Sequence, residues 1–181
     1  MSKNIMPGKE AYKKIYAMLD KVDPVPYDCG EICGGVCCRR ESFGDEEEPC
    51  LYLLPGEKEY LEEAGADIKI KREPREEHDL PESFGKYVYL AYCERAGSCE
   101  RQFRPIQCRS FPLWPYITEE GELVLSFYND ELPYVCPLIE ERRDLSEDFV
   151  NATYKAWEIL IGDEAVRDLV LLGITPFRIS E

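Results

Sequence analysis

The chain has 181 residues, with 37 acidic against 22 basic side chains and a formal charge of −15. That field repels phosphate backbones and anionic lipid surfaces, which excludes general nucleic-acid binding and membrane association as expectations. No stretch approaches the roughly 20 apolar residues that span a bilayer. A hydrophobic content of 44%, with 12 Tyr, 7 Phe and 2 Trp, can fill the core of one domain over residues 1–181.

In chain order, residues 8–22 place Ala11, Ile15, Met18, Leu19 and Val22 on one face of a helix. Asp23-Pro24-Val25-Pro26 is a stiff extended break. The segment CGEICGGVCC follows, carrying Cys29, Cys33, Cys37 and Cys38. Its i, i+4, i+8 spacing could align three thiols on a helix, but Gly30, Gly34 and Gly35 argue instead for a loop that wraps a ligand. Adjacent Cys37 and Cys38 would point apart in an extended segment and so could serve different centres. Cys50 follows the acidic run Asp45–Glu48 and reads as a small buried hydrophobe.

Pro55–Ala64 predicts a short helix stopped by Gly65. Ile68–Lys71 and Tyr87–Tyr92 predict strands, the second ending at Cys93. Between them, Glu73–Asp79 is a charged loop that holds the chain's one histidine, His78, expected as an exposed bystander. Residues 122–128 predict another strand, entered through Glu120-Gly121. Pro137–Arg143 predicts a helical turn. Ser146 and Asp163 are N-caps for two further helices, the first reaching Ile161 and the second ending near Gly173. Val150, Tyr154, Trp157 and Leu160 form the apolar stripe of the first. The expected fold is α+β: an irregular metal-centred domain with several helices and a few short strands. Its N-terminal and C-terminal helices pack on a cysteine-cluster region, 29–137.

Nine cysteines carry the chemistry. Thiolates are soft anionic ligands, so clusters of them point to zinc, iron–sulfur centres or disulfides. Disulfides fit less well. Nine is an odd count, and the residues after Met1 contain no uninterrupted apolar run of a secretory leader, so a cytoplasmic protein is expected. Eight cysteines divide into two four-thiolate sites. The expected ligands are Cys29, Cys33, Cys37, Cys38, Cys93, Cys99, Cys108 and Cys136, and the expected cofactor is zinc or an iron–sulfur cluster. Arg39, Arg40, Arg95, Arg101, Arg104 and Arg109 lie near these cysteines in sequence and could offset thiolate charge. Phe111 and Trp114 are expected to shield the centre from water.

The arrangement resembles the YkgJ-type cysteine-cluster family of zinc- or iron-chelating domains. The resemblance rests on CGEICGGVCC, on CERAGSCERQFRPIQCRSFPLWP and on Cys136-Pro137. In the middle block, Arg104-Pro105, Cys108-Arg109 and Phe111-Pro112 match the family's non-cysteine positions as well. The resemblance implies metal binding. It also offers a precedent for an enzyme, because the family includes flagellin lysine N-methylase. The sequence contains neither a GxGxxG nor a P-loop pattern and no acid–base pair beside the cysteines, so a metal-binding protein is expected over a methyltransferase or redox enzyme.

Overall fold

The structure is a computed structural model that describes residues 7–27, 29–43, 49–92 and 99–173. It is α+β, with seven α-helices and two small antiparallel sheets among the described residues. Helix α1 (Lys9–Leu19) buries Tyr12, Ile15, Tyr16 and Leu19. These follow the three- and four-residue spacing that puts side chains on one helical face. The predicted helix is present, and two tyrosines dominate its buried face.

Helix α2 (Cys29–Cys33) is a single turn, followed after Gly34-Gly35 by a 3-10 turn over Val36–Cys38. Strand β1 (Cys50–Tyr52) leads through a tight turn into α3 (Glu57–Glu63), the helix predicted after Pro55. Strands β2 (Lys69–Pro74) and β3 (Tyr87–Tyr92) complete the first sheet, in the order β1-β3-β2. The central strand pairs Cys50 with Tyr92 on one side and Pro74 with Tyr87 on the other. It turns Val88 and Leu90 into the core, as expected of a strand whose alternate side chains share a face.

Helix α4 (Ile106–Ser110) is one turn inside the second cysteine block, and β4 (Leu113–Ile117) and β5 (Leu123–Phe127) form a hairpin after it. Gly121 takes a φ of 85° at the hairpin turn, a conformation that glycine adopts without steric cost. Helix α5 (Pro137–Glu140) starts at the Cys-Pro pair. Helix α6 (Glu147–Leu160) and α7 (Glu164–Leu171) close the described chain.

Ser146 makes no side-chain cap on α6, whereas Asp163 caps α7 by accepting from the Ala165 and Val166 backbone N–H groups at 3.0 and 3.1 Å. The buried face of α6 is Phe149, Thr153, Ala156, Trp157 and Leu160. Trp157 and Leu160 fall where predicted. Val150 and Tyr154 do not, and Tyr154 is exposed. The stripe is turned by about one residue because Thr153 and Ala156 are small, which suits a face packed directly on α1.

One hydrophobic cluster runs from Tyr12 and Leu19 through Leu51 and Leu90 to Trp157 and Val170. It therefore takes side chains from α1, the first sheet, α6 and α7.

Candidate functional site

The first cysteine run is neither a straight helix nor a plain loop. Cys29–Cys33 closes one helical turn, with the Cys33 thiol 3.7 Å from the Cys29 carbonyl oxygen. Gly30 is tolerated there at a cost of about 1 kcal/mol relative to alanine. Gly34 and Gly35 then take φ of 69° and 71°, which stops the helix. A Cβ at position 34 would meet only the mobile guanidinium end of Arg39, at 2.8 Å from Nη2, so the positive φ rather than space calls for glycine there.

The reversal feeds the 3-10 turn, fixed by the Cys38 N–H donating to the Gly35 carbonyl at 2.9 Å. Cys37 and Cys38 are thus not in an extended segment. Their side chains do not diverge, and their sulfurs lie 3.8 Å apart. The expectation that they point to different sides is corrected by the local backbone: successive residues on a 3-10 turn rotate by a third of a turn rather than a half.

In the second block the four residues of α4 around Cys108 each have a separate attachment. The Ile106 N–H donates to Glu57 Oε1 at 2.7 Å, and Gln107 Nε2 donates to the Tyr52 carbonyl at 2.7 Å. Ser110 Oγ accepts from Trp157 Nε1 at 3.0 Å. Arg109 is buried. It pairs with Asp20, donates to the Tyr16 carbonyl at 3.2 Å and stacks 4.8 Å above the Tyr16 ring. Cys108, in the middle, is held by a turn bonded to α1, α3, β1 and α6.

The arginines divide accordingly. Arg101 and Arg109 both serve the C-terminal end of α1, where Arg101 donates to the Leu19 and Val22 carbonyls and pairs with Asp23 at 2.8 Å. The end of the helix carries negative potential, and α1 has no basic residue in its own last turn, although the Tyr16 carbonyl also accepts from the Asp20 N–H. Offsetting thiolate charge is therefore not the primary task of Arg101 and Arg109. Arg104 does approach a thiol: its Nε donates to the Cys99 carbonyl at 3.2 Å, and its charge and hydrogen bonding favour the Cys99 thiolate. Arg95 lies outside the described residues.

Electrostatics bring the cysteine groups together. The Cys37 thiol is pushed far above its ordinary range, first by its hydrogen bond with Cys38, then by burial and by the charges of Cys38, Cys108 and Cys29. Burial raises Cys99, with a further contribution from Cys38. Burial also raises Cys136, opposed by the Ile139 and Leu138 N–H groups of α5 and reinforced by Cys33. Such mutual effects require proximity. Cys37 and Cys38 are in direct contact, the charges of Cys29 and Cys108 reach Cys37, and that of Cys33 reaches Cys136.

The eight described cysteines are thiols rather than disulfides. Cys93 lies outside the described residues. Cys50 is half-buried on β1 against the main core, as a small hydrophobe would be. Among the described residues no group of three or more His, Cys, Asp or Glu side chains is set to hold a metal ion. The donor chemistry suits a soft metal, and so does the spacing of one pair. Two thiolates on one tetrahedral ion, with Zn–S near 2.3 Å, lie about 3.8 Å apart. Cys37 and Cys38 already have that separation.

Two further expectations change. His78 is buried, not exposed. Its Nδ1 lies 3.0 Å from the Tyr52 hydroxyl and its Nε2 lies 2.9 Å from Glu73 Oε2. The Nε2 contact is an ion-pair distance without good hydrogen-bond alignment. The surrounding charges disguised a histidine that turns inward onto β1 and β2. Trp114, expected as a shield for the thiols, packs edge-on against Trp157 at 5.3 Å in the main core, and Phe111 lies 6.1 Å from Tyr128.

A further aromatic pair, Phe43 and Tyr134, stands edge-on at 5.6 Å. Burial raises the Tyr134 phenol, and the charges of Cys37, Cys108 and Cys136 raise it further. Tyr134 and Cys136 also line a cleft of about 430 Å³. The Tyr-x-Cys-Pro spacing was the available sequence signal for this residue.

No family model, curated protein or solved structure matches the chain in comparisons with known proteins. Among the described residues no helix is long and apolar enough to cross a membrane.

Proposed function

We propose that the chain is a cytoplasmic metal-binding protein with one or two cysteine-ligated centres, of the kind its resemblance to the YkgJ-type cysteine-cluster family implies. The observation that carries this reading is the 3.8 Å separation of the Cys37 and Cys38 sulfurs. It equals the edge of a tetrahedral thiolate site, about 3.8 Å for Zn–S bonds near 2.3 Å. A first centre would include Cys37 and Cys38, with further ligands drawn from the thiols whose charges act on Cys37, Cys29 and Cys108. Cys33, Cys93, Cys99 and Cys136 remain as ligands for a second.

The spacing favours a single ion held by both neighbours. In a four-iron cluster each thiolate binds its own iron, and neighbouring ligand sulfurs stand further apart. Zinc is accordingly the preferred metal, and an iron–sulfur cluster is the alternative. A zinc ion with four thiolates supplies folding free energy and leaves no open position for substrate. This chain's residues hold the thiols in place: Gly34 and Gly35 turn the first run, and α4 fixes Cys108. The proposed ligand is the metal ion itself, with neither nucleic acid nor membrane as a partner.

Elemental analysis and a visible spectrum of anaerobically purified, untagged protein test the reading. Colourless protein with stoichiometric zinc is expected. Broad charge-transfer absorption with acid-labile sulfide would select iron–sulfur, and folded protein with neither metal would overturn the proposal.

A further inference from the structure

Cys37 and Cys38 present two thiols in contact, with their sulfurs 3.8 Å apart on a 3-10 turn and both side chains half-buried. An S–S bond is about 2.05 Å long, so joining them takes under about 2 Å of relative movement. The turn is built to permit that shift. It follows Gly34 and Gly35, whose positive φ values reverse the chain. Two backbone bonds hold it, from the Cys38 N–H to the Gly35 carbonyl at 2.9 Å and from the Arg39 N–H to the Val36 carbonyl at 3.3 Å. None of its residues is buried or belongs to the main hydrophobic cluster, so it can move without opening the core.

We infer that Cys37 and Cys38 are a redox modification site, which in metal-free protein exchanges with a low-molecular-weight disulfide and closes into a vicinal disulfide. The two sulfurs differ in role. The Cys37 thiol keeps its proton, chiefly through its hydrogen bond with Cys38 and through burial. Cys38 therefore ionises first, and its thiolate attacks one sulfur of the reagent. That step forms a mixed disulfide on Cys38 and releases one thiolate. Cys37 then gives up its proton and attacks the Cys38 sulfur, expelling the second thiolate. Two protein thiols are oxidised, the reagent is reduced to two thiols, and the protons of Cys37 and Cys38 end on them.

Neighbouring Cα atoms stand about 3.8 Å apart, below the span of about 4.4–6.8 Å that ordinary disulfides bridge. The ring is accordingly strained, and a strained disulfide is the easily reduced kind that suits a reversible site. Sulfurs bonded to each other are no longer two thiolate donors. On the proposed metal-binding reading, oxidation and metal occupancy of this pair therefore exclude each other; the exchange itself does not rest on that reading.

The test incubates the full-length protein with a chelator and oxidised glutathione, with native circular dichroism confirming the fold. Remaining thiols are then alkylated. Cleavage after Glu31 and Arg39 releases residues 32–39, which contain Cys33, Cys37 and Cys38. The expected peptide is labelled on Cys33 alone and lacks two hydrogens, and excess reduced glutathione restores labelling of all three. Cys37→Ser should stop at a glutathione adduct on Cys38. Cys38→Ser should react at position 37 at least about tenfold more slowly than Cys38 does, because its thiolate fraction is smaller. A persistent glutathione adduct on the wild type, bonding of either cysteine to a different one, or full labelling of both after exposure overturns the inference. Added zinc should slow the oxidation; an unchanged rate would count against the metal-binding reading and leave the exchange standing.

Discussion

Glu57 is the residue on which the second cysteine block hangs. Its side chain is fully buried. Oε1 accepts from the Tyr16 hydroxyl at 2.9 Å and from the Ile106 N–H at 2.7 Å, and Oε2 accepts from the Leu54 N–H at 3.0 Å. The carboxyl therefore ties α1 and the β1–α3 turn to the first residue of α4, two positions before Cys108. Glu57→Ala would orphan all three donors. At about 1–3 kcal/mol each, the sum reaches much of the roughly 5–15 kcal/mol that holds a domain folded.

Glu57→Gln is the measurable change. The amide oxygen can still face Tyr16 and Ile106, but the amide nitrogen then opposes the Leu54 N–H. One lost hydrogen bond and one donor–donor contact predict a destabilisation of about 2 kcal/mol on the acid side of neutrality. Burial raises the carboxyl above its ordinary range, while the hydrogen bonds from Ile106, Leu54 and Tyr16 and the charge of Arg109 pull it back. A raised folded value means that the native state holds its proton more tightly than the unfolded chain. That contribution is complete below the unfolded pKa, about 4.3, and is lost as pH rises through the folded value.

The wild-type advantage over Glu57→Gln should therefore shrink as pH rises. Urea unfolding of both proteins across pH 4 to 8, with their difference plotted against pH, checks this, because the other carboxylates largely cancel in the difference. A gap below about 0.5 kcal/mol at acid pH, which a single lost buried hydrogen bond should exceed, would refute the reasoning. So would a gap that grows with pH.

Other substitutions probe the same framework. Arg109→Lys cannot make the planar set of contacts to Asp20, the Tyr16 carbonyl and the Tyr16 ring. It should cost about 2 kcal/mol in urea unfolding, with a value near zero contradicting a buried anchoring role. Asp163→Ala removes the only side-chain cap recorded for the longer described helices and should cost about 1 kcal/mol by thermal unfolding, while Ser146→Ala, which removes no cap hydrogen bond, should be near neutral.

Much of this framework can be read from the chain. Apolar periodicity finds α1 and β3, and Asp163 marks the start of α7, because long elements and caps leave local signals. Strand β1 escapes because three residues carry no period. Strand β4 escapes because Pro112 and Pro115 argue against a strand, although a two-stranded edge accommodates Pro115 opposite Leu125. Helix α4 escapes because its five residues are fixed by distant partners rather than by propensity.

The site divides in the same way. Clustering of the thiols is visible in sequence, but the placing of Cys108 depends on how α4 is anchored. His78, Glu57 and Arg109 look like surface charges, and burial of each is decided by partners far along the chain. The glycines predict a break in the first run, yet the close pairing of Cys37 and Cys38 follows from a 3-10 turn that composition does not specify.

The central claim is that separate cysteine groups build one metal centre. Metal content per chain in Cys37→Ser, Cys108→Ser and Cys50→Ala, measured on folded, anaerobically purified protein, tests it most directly. The account predicts that Cys37→Ser and Cys108→Ser each lose the same bound ion, while Cys50→Ala keeps the wild-type content. Full metal in both serine variants would contradict a shared centre.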